Sequence, residues 1–244
     1  MKAVPVVLLF SLLLAACEKD ASIPPVVSAK VKQLIFTSVN SGVTRVDTFS
    51  YEYDSLDRLI LEKSVLQKST ASYSYPVVGT CIQKNYVGGA EGLNIVYFSN
   101  SANKLDSTLV ISTDKKDTVS TKWLYSADAL VSQVRHYTKN STLWRTDFFS
   151  YDANRNVTAI EEKAPNGSML QRRTFEVSND KPYWYNLHQT PMPALFVNTP
   201  IKQVTNNNEI SMITYVFDGN NRVTKETWNT AANGNMTIKE YFYY

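Results

Sequence analysis

A chain of 244 residues that sets 25 basic against 22 acidic side chains is nearly balanced, with a formal charge of +3. That balance excludes the dense positive surface expected of a nucleic-acid-binding protein. Two histidines exclude a multi-histidine zinc site, while 15 tyrosines, 10 phenylalanines and frequent Thr, Val and Asn favour strands joined by turns.

Met1 and Lys2 give a weakly positive start, Val4 to Leu14 is apolar, and the chain then reads Leu14-Ala15-Ala16-Cys17. The apolar run is shorter than the roughly 18 residues a membrane helix needs, which marks a secretory signal. A cysteine placed straight after small residues resembles the bacterial lipobox. The resemblance implies cleavage before Cys17, with a diacylglyceryl thioether and an N-acyl group on that residue. It divides the chain into a signal peptide (1–16), a lipidated Cys17 with a flexible tether (17–28) and a single all-β domain (29–244). Several acyl chains on one residue hold a protein at a bilayer, so the expected membrane contact is through Cys17, at the outer membrane. Glu18-Lys19-Asp20 is similar to the surface-export signals of Bacteroidota lipoproteins, although Lys19 interrupts the acidic pair; surface and periplasmic orientations both stay open. Ile23-Pro24-Pro25 favours extended backbone and suits a tether.

The body repeats one pattern. Phe49-Ser50-Tyr51-Glu52-Tyr53-Asp54 alternates aromatic and polar residues, and Arg58-Leu59-Ile60-Leu61-Glu62 resumes after a break. The same order returns from Phe149 to Ile160 and from Thr214 to Lys225, each time with six positions from the aromatic to the next aliphatic: Tyr53 to Leu59, Tyr151 to Val157, Phe217 to Val223. Two weaker copies run from Tyr125 to Val131 and, one residue longer, from Phe98 to Leu105. Alternation places Phe49, Tyr51 and Tyr53 on one face of a strand and Ser50, Glu52 and Asp54 on the other. Asp54 and Asp218 can bond turn amides and pair with Arg58 and Arg222. The unit resembles the YD repeat of Rhs-type proteins (Y-x-Y-D-x-x-G-R-L), found in divergent form in Bacteroidota lipoproteins. Asp57 and Asn221 stand where that repeat carries glycine, and both residue types tolerate left-handed dihedrals. Repeats of this kind imply a scaffold and no particular chemistry.

Further strands are expected at Lys32 to Phe36 and Val43 to Thr48, around the turn Asn40-Ser41-Gly42, and at Thr237 to Tyr244. The closing Tyr241-Phe242-Tyr243-Tyr244 resembles the terminal signal of outer-membrane barrels, but frequent charges and the missing aromatic-girdle spacing oppose a lipid-facing barrel. The expected fold is an all-β antiparallel meander of successive hairpins, forming a curved sheet or an open barrel-like repeat.

Candidate sites are few. From Asn179 to Pro200 the alternation stops, and four prolines accompany Tyr183, Trp184, Tyr185 and His188. Such a segment either binds a ligand through its aromatics or plugs an edge of the sheet. With Cys17 carrying lipid, Cys81 has no partner for a disulfide, and its apolar neighbours suit a buried inert thiol. Glu161 and Glu162 are adjacent and point to opposite faces of a strand. No nucleophile elbow, phosphate loop or metal-ligand spacing appears, and no cofactor is expected. The leading expectation is a non-catalytic binding or scaffold lipoprotein of the cell envelope that meets a glycan or an envelope protein. Two alternatives remain: a glycan hydrolase with a carboxylate pair assembled by the fold, and a lipid-carrying half-barrel.

Overall fold

The computed structural model describes residues 30–113, 118–182, 198–206, 209–220, 222–231 and 234–244. Among these residues there is no helix. They form sixteen strands: β1 (Val31–Asn40), β2 (Val43–Tyr53), β3 (Leu59–Ser64), β4 (Ser69–Ser74), β5 (Thr80–Val87), β6 (Ala90–Ser99), β7 (Leu105–Ile111) and β8 (Thr118–Tyr125). The second half comprises β9 (Val131–Tyr137), β10 (Leu143–Tyr151), β11 (Val157–Lys163), β12 (Met169–Pro182), β13 (Asn198–Thr205), β14 (Glu209–Phe217), β15 (Val223–Thr230) and β16 (Asn235–Tyr243). Each strand pairs antiparallel with its chain neighbours, and β1 pairs with β16, so the meander closes into a barrel. Closure satisfies the two edges that an open sheet would leave to solvent. A closed sheet of about 16 strands is wide enough to enclose a lumen.

The repeat is real in three dimensions and forms the turns at the end where the barrel begins and finishes, here called the proximal end. Asp54 Oδ1 accepts the N–H groups of Leu56 and Arg58, both at 2.9 Å. Asp152 does the same for Asn154 and Asn156 at 2.9 and 2.8 Å, and Asp218 for Asn220 and Arg222 at 2.9 Å each. The expected ion pairs form: Arg58 Nη2 lies 2.7 Å from Asp54 Oδ2, and Arg222 Nε lies 2.7 Å from Asp218 Oδ2. The fourth turn residue is left-handed at Asp57 (φ 63°), Asn103 (56°), Ala129 (64°) and Arg155 (67°), so Asp57 does replace glycine. Asn221 lies outside the described residues.

Each unit also carries a register shift just ahead of its inward residue, at Glu52/Tyr53, Phe98/Ser99, Leu124/Tyr125, Ser150/Tyr151 and Val216/Phe217. The register corrects one expectation. In the unit ending at Leu105 the inward position belongs to Ser99, six residues before Leu105, while Phe98 points outward and is exposed. The unit is therefore of ordinary length, with serine in the aromatic slot.

Val31, Leu59, Leu105, Val131, Val157 and Val223, which open their strands, and Cys81, second in β5, are all buried and line the proximal end. Val31, Tyr51, Leu59, Val223 and Tyr241 form one apolar cluster there, with Phe49, Tyr53, Tyr73, Tyr215, Phe217 and Tyr243 packed against it. Aromatic alternation thus places its apolar face on the inside of the barrel.

Candidate functional site

The inner wall is where the fold gathers chemistry. Its proximal part is apolar and tyrosine-rich, as described above. Further along, Phe49, Ile95, Tyr97, Trp123, Phe149, Phe175 and Trp228 are only half-buried although they face inward. Side chains at the centre of a solid core would be fully covered, so this wall borders an open lumen. The indole N–H of Trp123 is buried and has no hydrogen-bond partner among the described residues.

Charges occupy the wall as well, in two groups. Asp147 on β10 and Glu162 on β11 face each other across the strand pair, and Arg145 bridges them, with Nε 2.9 Å from Asp147 Oδ1 and Nη1 3.0 Å from Glu162 Oε2. His136 Nε2 lies 2.8 Å from Asp147 Oδ2, and Arg173 Nη2 donates to Glu162 Oε1 at 2.8 Å. On the other side of the barrel, Glu226 receives Lys239 Nζ at 3.1 Å and the Tyr241 hydroxyl at 3.0 Å, together with the Trp228 indole N–H. Asp47 is held by the Ser64 hydroxyl and the amides of Thr48 and Leu66. Burial pushes the Asp47 carboxyl up, but these donors outweigh it and hold the group below the usual carboxylate range.

Glu161 and Glu162 do point to opposite faces. Glu161 sits outside with Lys163 at 2.9 Å, whereas Glu162 belongs to the bridged network. The cross-strand pair Asp147–Glu162 escaped the sequence reading because its members lie 15 positions apart on different strands. The signal was present in Arg145-x-Asp147 and Ile160-x-Glu162, where alternation sends all four side chains inward. Both carboxylates are engaged by Arg145, so neither is free to protonate a leaving group or to hold a water.

Cys17, Tyr183, Trp184, Tyr185 and His188 lie outside the described residues. The segment that contains the last four leaves β12 at Pro182 and returns at Asn198, which are paired at the proximal end. Asn156, fully buried in the arginine slot of its turn, accepts the Asn198 N–H through its side-chain oxygen at 2.6 Å and so fixes the return. Cys81 is a buried free thiol, and burial pushes its pKa up, as its inert reading required. No metal-binding group of three or more ligands occurs among the described residues.

The outer wall mixes ion pairs with apolar side chains. It carries the ion pairs Glu52–Lys63, Asp106–Lys122, Glu161–Lys163, Glu176–Lys202 and Glu240–Lys225, spread around the barrel. Apolar outward residues such as Ile82, Val96, Met212, Val216 and Phe242 are interspersed among them.

No protein-family model and no curated protein sequence matches this chain. Among solved structures, the fold is similar to a porin-like protein from Bacteroides uniformis, with a TM-score of 0.65 over 89% of this chain and 98% of the other. It is also similar to a porin-like protein from Bacteroides vulgatus, with a TM-score of 0.58 over 88% of this chain and 99% of the other. Sequence identity is 11% in both, so what is shared is the barrel fold.

Proposed function

We propose that this chain is a non-catalytic binding protein of the cell envelope, anchored in the outer membrane by lipid on Cys17, that takes its ligand into the barrel lumen. The observation that carries this reading is the set of ion pairs spread over the outer wall, together with half-buried aromatics inside. A membrane-spanning barrel has an outward apolar band about 25 Å tall, and a charge facing lipid at mid-depth costs about 2–4 kcal/mol there. The ion-paired exterior suits a barrel standing in water beside the membrane, which is what a lipid anchor with a flexible tether requires. Flat aromatic faces suit sugar rings, so a glycan is the ligand class of choice, and the likeness to porin-like proteins of Bacteroides is in keeping with an envelope setting. Tyr183, Trp184, Tyr185 and His188, in the segment between β12 and β13, are the proposed second contact for the ligand. The engagement of Asp147 and Glu162 by Arg145 weighs against the hydrolase alternative.

Two measurements test this. Cys17→Ser should move the protein from the membrane fraction to the soluble fraction; unchanged partition would remove the anchor from the proposal. Titration of the full-length protein with a panel of envelope oligosaccharides should shift the emission of the lumen tryptophans Trp123 and Trp228. A flat response across the panel, with those tryptophans shielded from acrylamide, would mean that the lumen takes no ligand.

A further inference from the structure

One carboxylate on the inner wall is unlike the others. Asp47, Asp147, Glu162 and Glu226 are each met by a cation or by several hydrogen-bond donors. Glu62, on β3, is half-buried on the same face and has no hydrogen bond or ion pair among the described residues. It pairs directly with Tyr51 on β2 and with Ala71 on β4. Ala71 is buried and contributes only a methyl group, so it offers the carboxyl no polar partner. Tyr73 follows one pleat further along β4 on the same face, opposite Gln83. The Tyr97 hydroxyl donates to Gln83 Oε1 at 2.7 Å, which draws its ring toward this part of the wall.

The register places Tyr51 opposite Glu62 and Tyr73 one pleat beyond its other partner, Ala71, and the electrostatics agree with that placement. Burial raises the phenols of Tyr51, Tyr53, Tyr73 and Tyr97, and the charge of Glu62 adds to the rise in each. Burial likewise pushes the Glu62 carboxyl up, with no compensating donor. An isolated acid among aromatic rings, facing an open lumen, is the complement of a bulky monovalent cation. Ring faces attract such a cation through their quadrupole, and the acid supplies the counter-charge. A metal ion would need more oxygen ligands than one carboxyl and tyrosine hydroxyls provide.

We propose that the lumen wall formed by Glu62, Tyr73 and Tyr97, backed by the buried Tyr51, is a binding subsite for an organic ammonium group. This rests on the reading of the lumen as a ligand site and names the charged part of the ligand. A quaternary ammonium head and a protonated amino sugar share the required chemistry, and the test separates them.

The test is saturation-transfer difference NMR on the full-length protein with tetramethylammonium, glucosamine and the neutral tert-butanol as probes. The variants are Glu62→Gln, Tyr73→Leu and, as an outer-wall control, Glu52→Gln. The expected result is transfer to tetramethylammonium or glucosamine, whichever the site takes. It should fall by about tenfold in Glu62→Gln, the effect of losing one close charge partner, and also in Tyr73→Leu, while Glu52→Gln retains it. Preference for one of the two cations identifies the source. Equal transfer to tert-butanol, or transfer unchanged in Glu62→Gln, would overturn the proposal. Because Glu62→Gln removes a buried charge without changing shape, it should fold, and tyrosine near-ultraviolet dichroism checks that it does. Absence of transfer to every probe would overturn the subsite. Acrylamide quenching of Trp123 and Trp228, in a background carrying Trp144→Phe and Trp184→Phe, then decides the wider reading. Quenching would leave the lumen reading standing, and shielding would remove it too.

Discussion

The hydroxyl of Tyr151 donates to the carbonyl oxygen of Val131, 20 residues earlier, at 2.8 Å. Val131 opens β9 and Tyr151 closes β10, so the bond ties the two free ends of one hairpin at the proximal end. The device recurs. Tyr53 ties to Val31 at 3.0 Å, Tyr75 to Leu59 at 2.9 Å, Tyr125 to Leu105 at 2.7 Å and Tyr215 to Pro200 at 3.0 Å, and Tyr243 is bonded to Val223 in the same way. The hairpin of β5 and β6 has Ser99 in the tyrosine position and lacks the tie at that residue. The repeat therefore encodes two fasteners: a polar, often acidic, turn residue between hairpins and a tyrosine across six of the hairpin mouths.

Removing one hydroxyl while keeping the ring isolates the second fastener. Tyr151→Phe should destabilise the barrel by about 1 kcal/mol, the net worth of one buried hydrogen bond. For a chain of this size that lowers Tm by about 2–4 °C. Thermal unfolding followed by dichroism measures it, and an unchanged Tm would show that the packing of the ring alone holds the hairpin mouth.

The same tyrosines set a limit at alkaline pH. Burial, with smaller effects from neighbouring charged groups, pushes Tyr151 from the usual 10.0 up to about 12, and Tyr97 likewise to about 12. The fold therefore favours the neutral phenol. Its stabilising effect is complete below pH 10, where the unfolded chain is also neutral, and is lost as pH rises from 10 toward 12. Absorbance at 295 nm should show exposed tyrosines ionising first and the inner-wall set ionising together with loss of the barrel. Independent titration of all 15 tyrosines near pH 10 would contradict the buried ties.

Arg145 offers a contrast between inner and outer charges. Its guanidinium is 24% exposed and lies against two carboxylates that are each 10% exposed. Arg145→Ala would leave both acids buried with fewer partners, an effect of about 3–5 kcal/mol. Lys63, by comparison, is 51% exposed in its pair with Glu52. Lys63→Ala should change stability by no more than about 1 kcal/mol. Urea unfolding of the two variants side by side provides the comparison, and equal effects would mean that the inner network is as well solvated as the outer face.

How much of this was legible in the sequence follows from distance along the chain. Period-two alternation put Phe49, Tyr51 and Tyr53 on one face, and the structure places that face inward. The spacing of Asp54 to Arg58 and of Asp218 to Arg222 gave the turn and its ion pair, because all the atoms involved lie within five residues. The frame failed by one position at Phe98: the inward alternation on β6 runs through Ile95, Tyr97 and Ser99, and the extra residue of the bulge is Asp106 on β7. Closure of β1 onto β16 joins residues some 200 positions apart, and no local pattern specifies it. The same holds for Arg145 bridging Asp147 and Glu162, and for the surroundings of Glu62, which was read only as part of a return strand. Chemistry assembled between strands appears when the register is known, and register in a meander of sixteen strands accumulates from every turn.

Glu62 carries the last expectation, one of stability. Burial raises its carboxyl above the ordinary 4.5, so the fold favours the protonated form. Below about pH 4.5 the group is neutral in both folded and unfolded chains, and burial carries no charge penalty. As pH rises past that value the unfolded chain releases the proton first, and the fold is progressively disfavoured until the folded pKa is passed. Glu62→Gln should therefore raise Tm at pH 7 and leave it unchanged at pH 4. A residue whose conservative replacement stabilises the protein is one that folding alone does not favour, as expected where a binding site holds a charge ready for its ligand. Saturating tetramethylammonium should raise the Tm of the native protein at pH 7 and have no such effect on Glu62→Gln, since only the carboxylate gains from the cation. If Glu62→Gln instead lowers Tm at neutral pH, the carboxylate stabilises the wall through a partner of its own, and the cation subsite loses its physical basis.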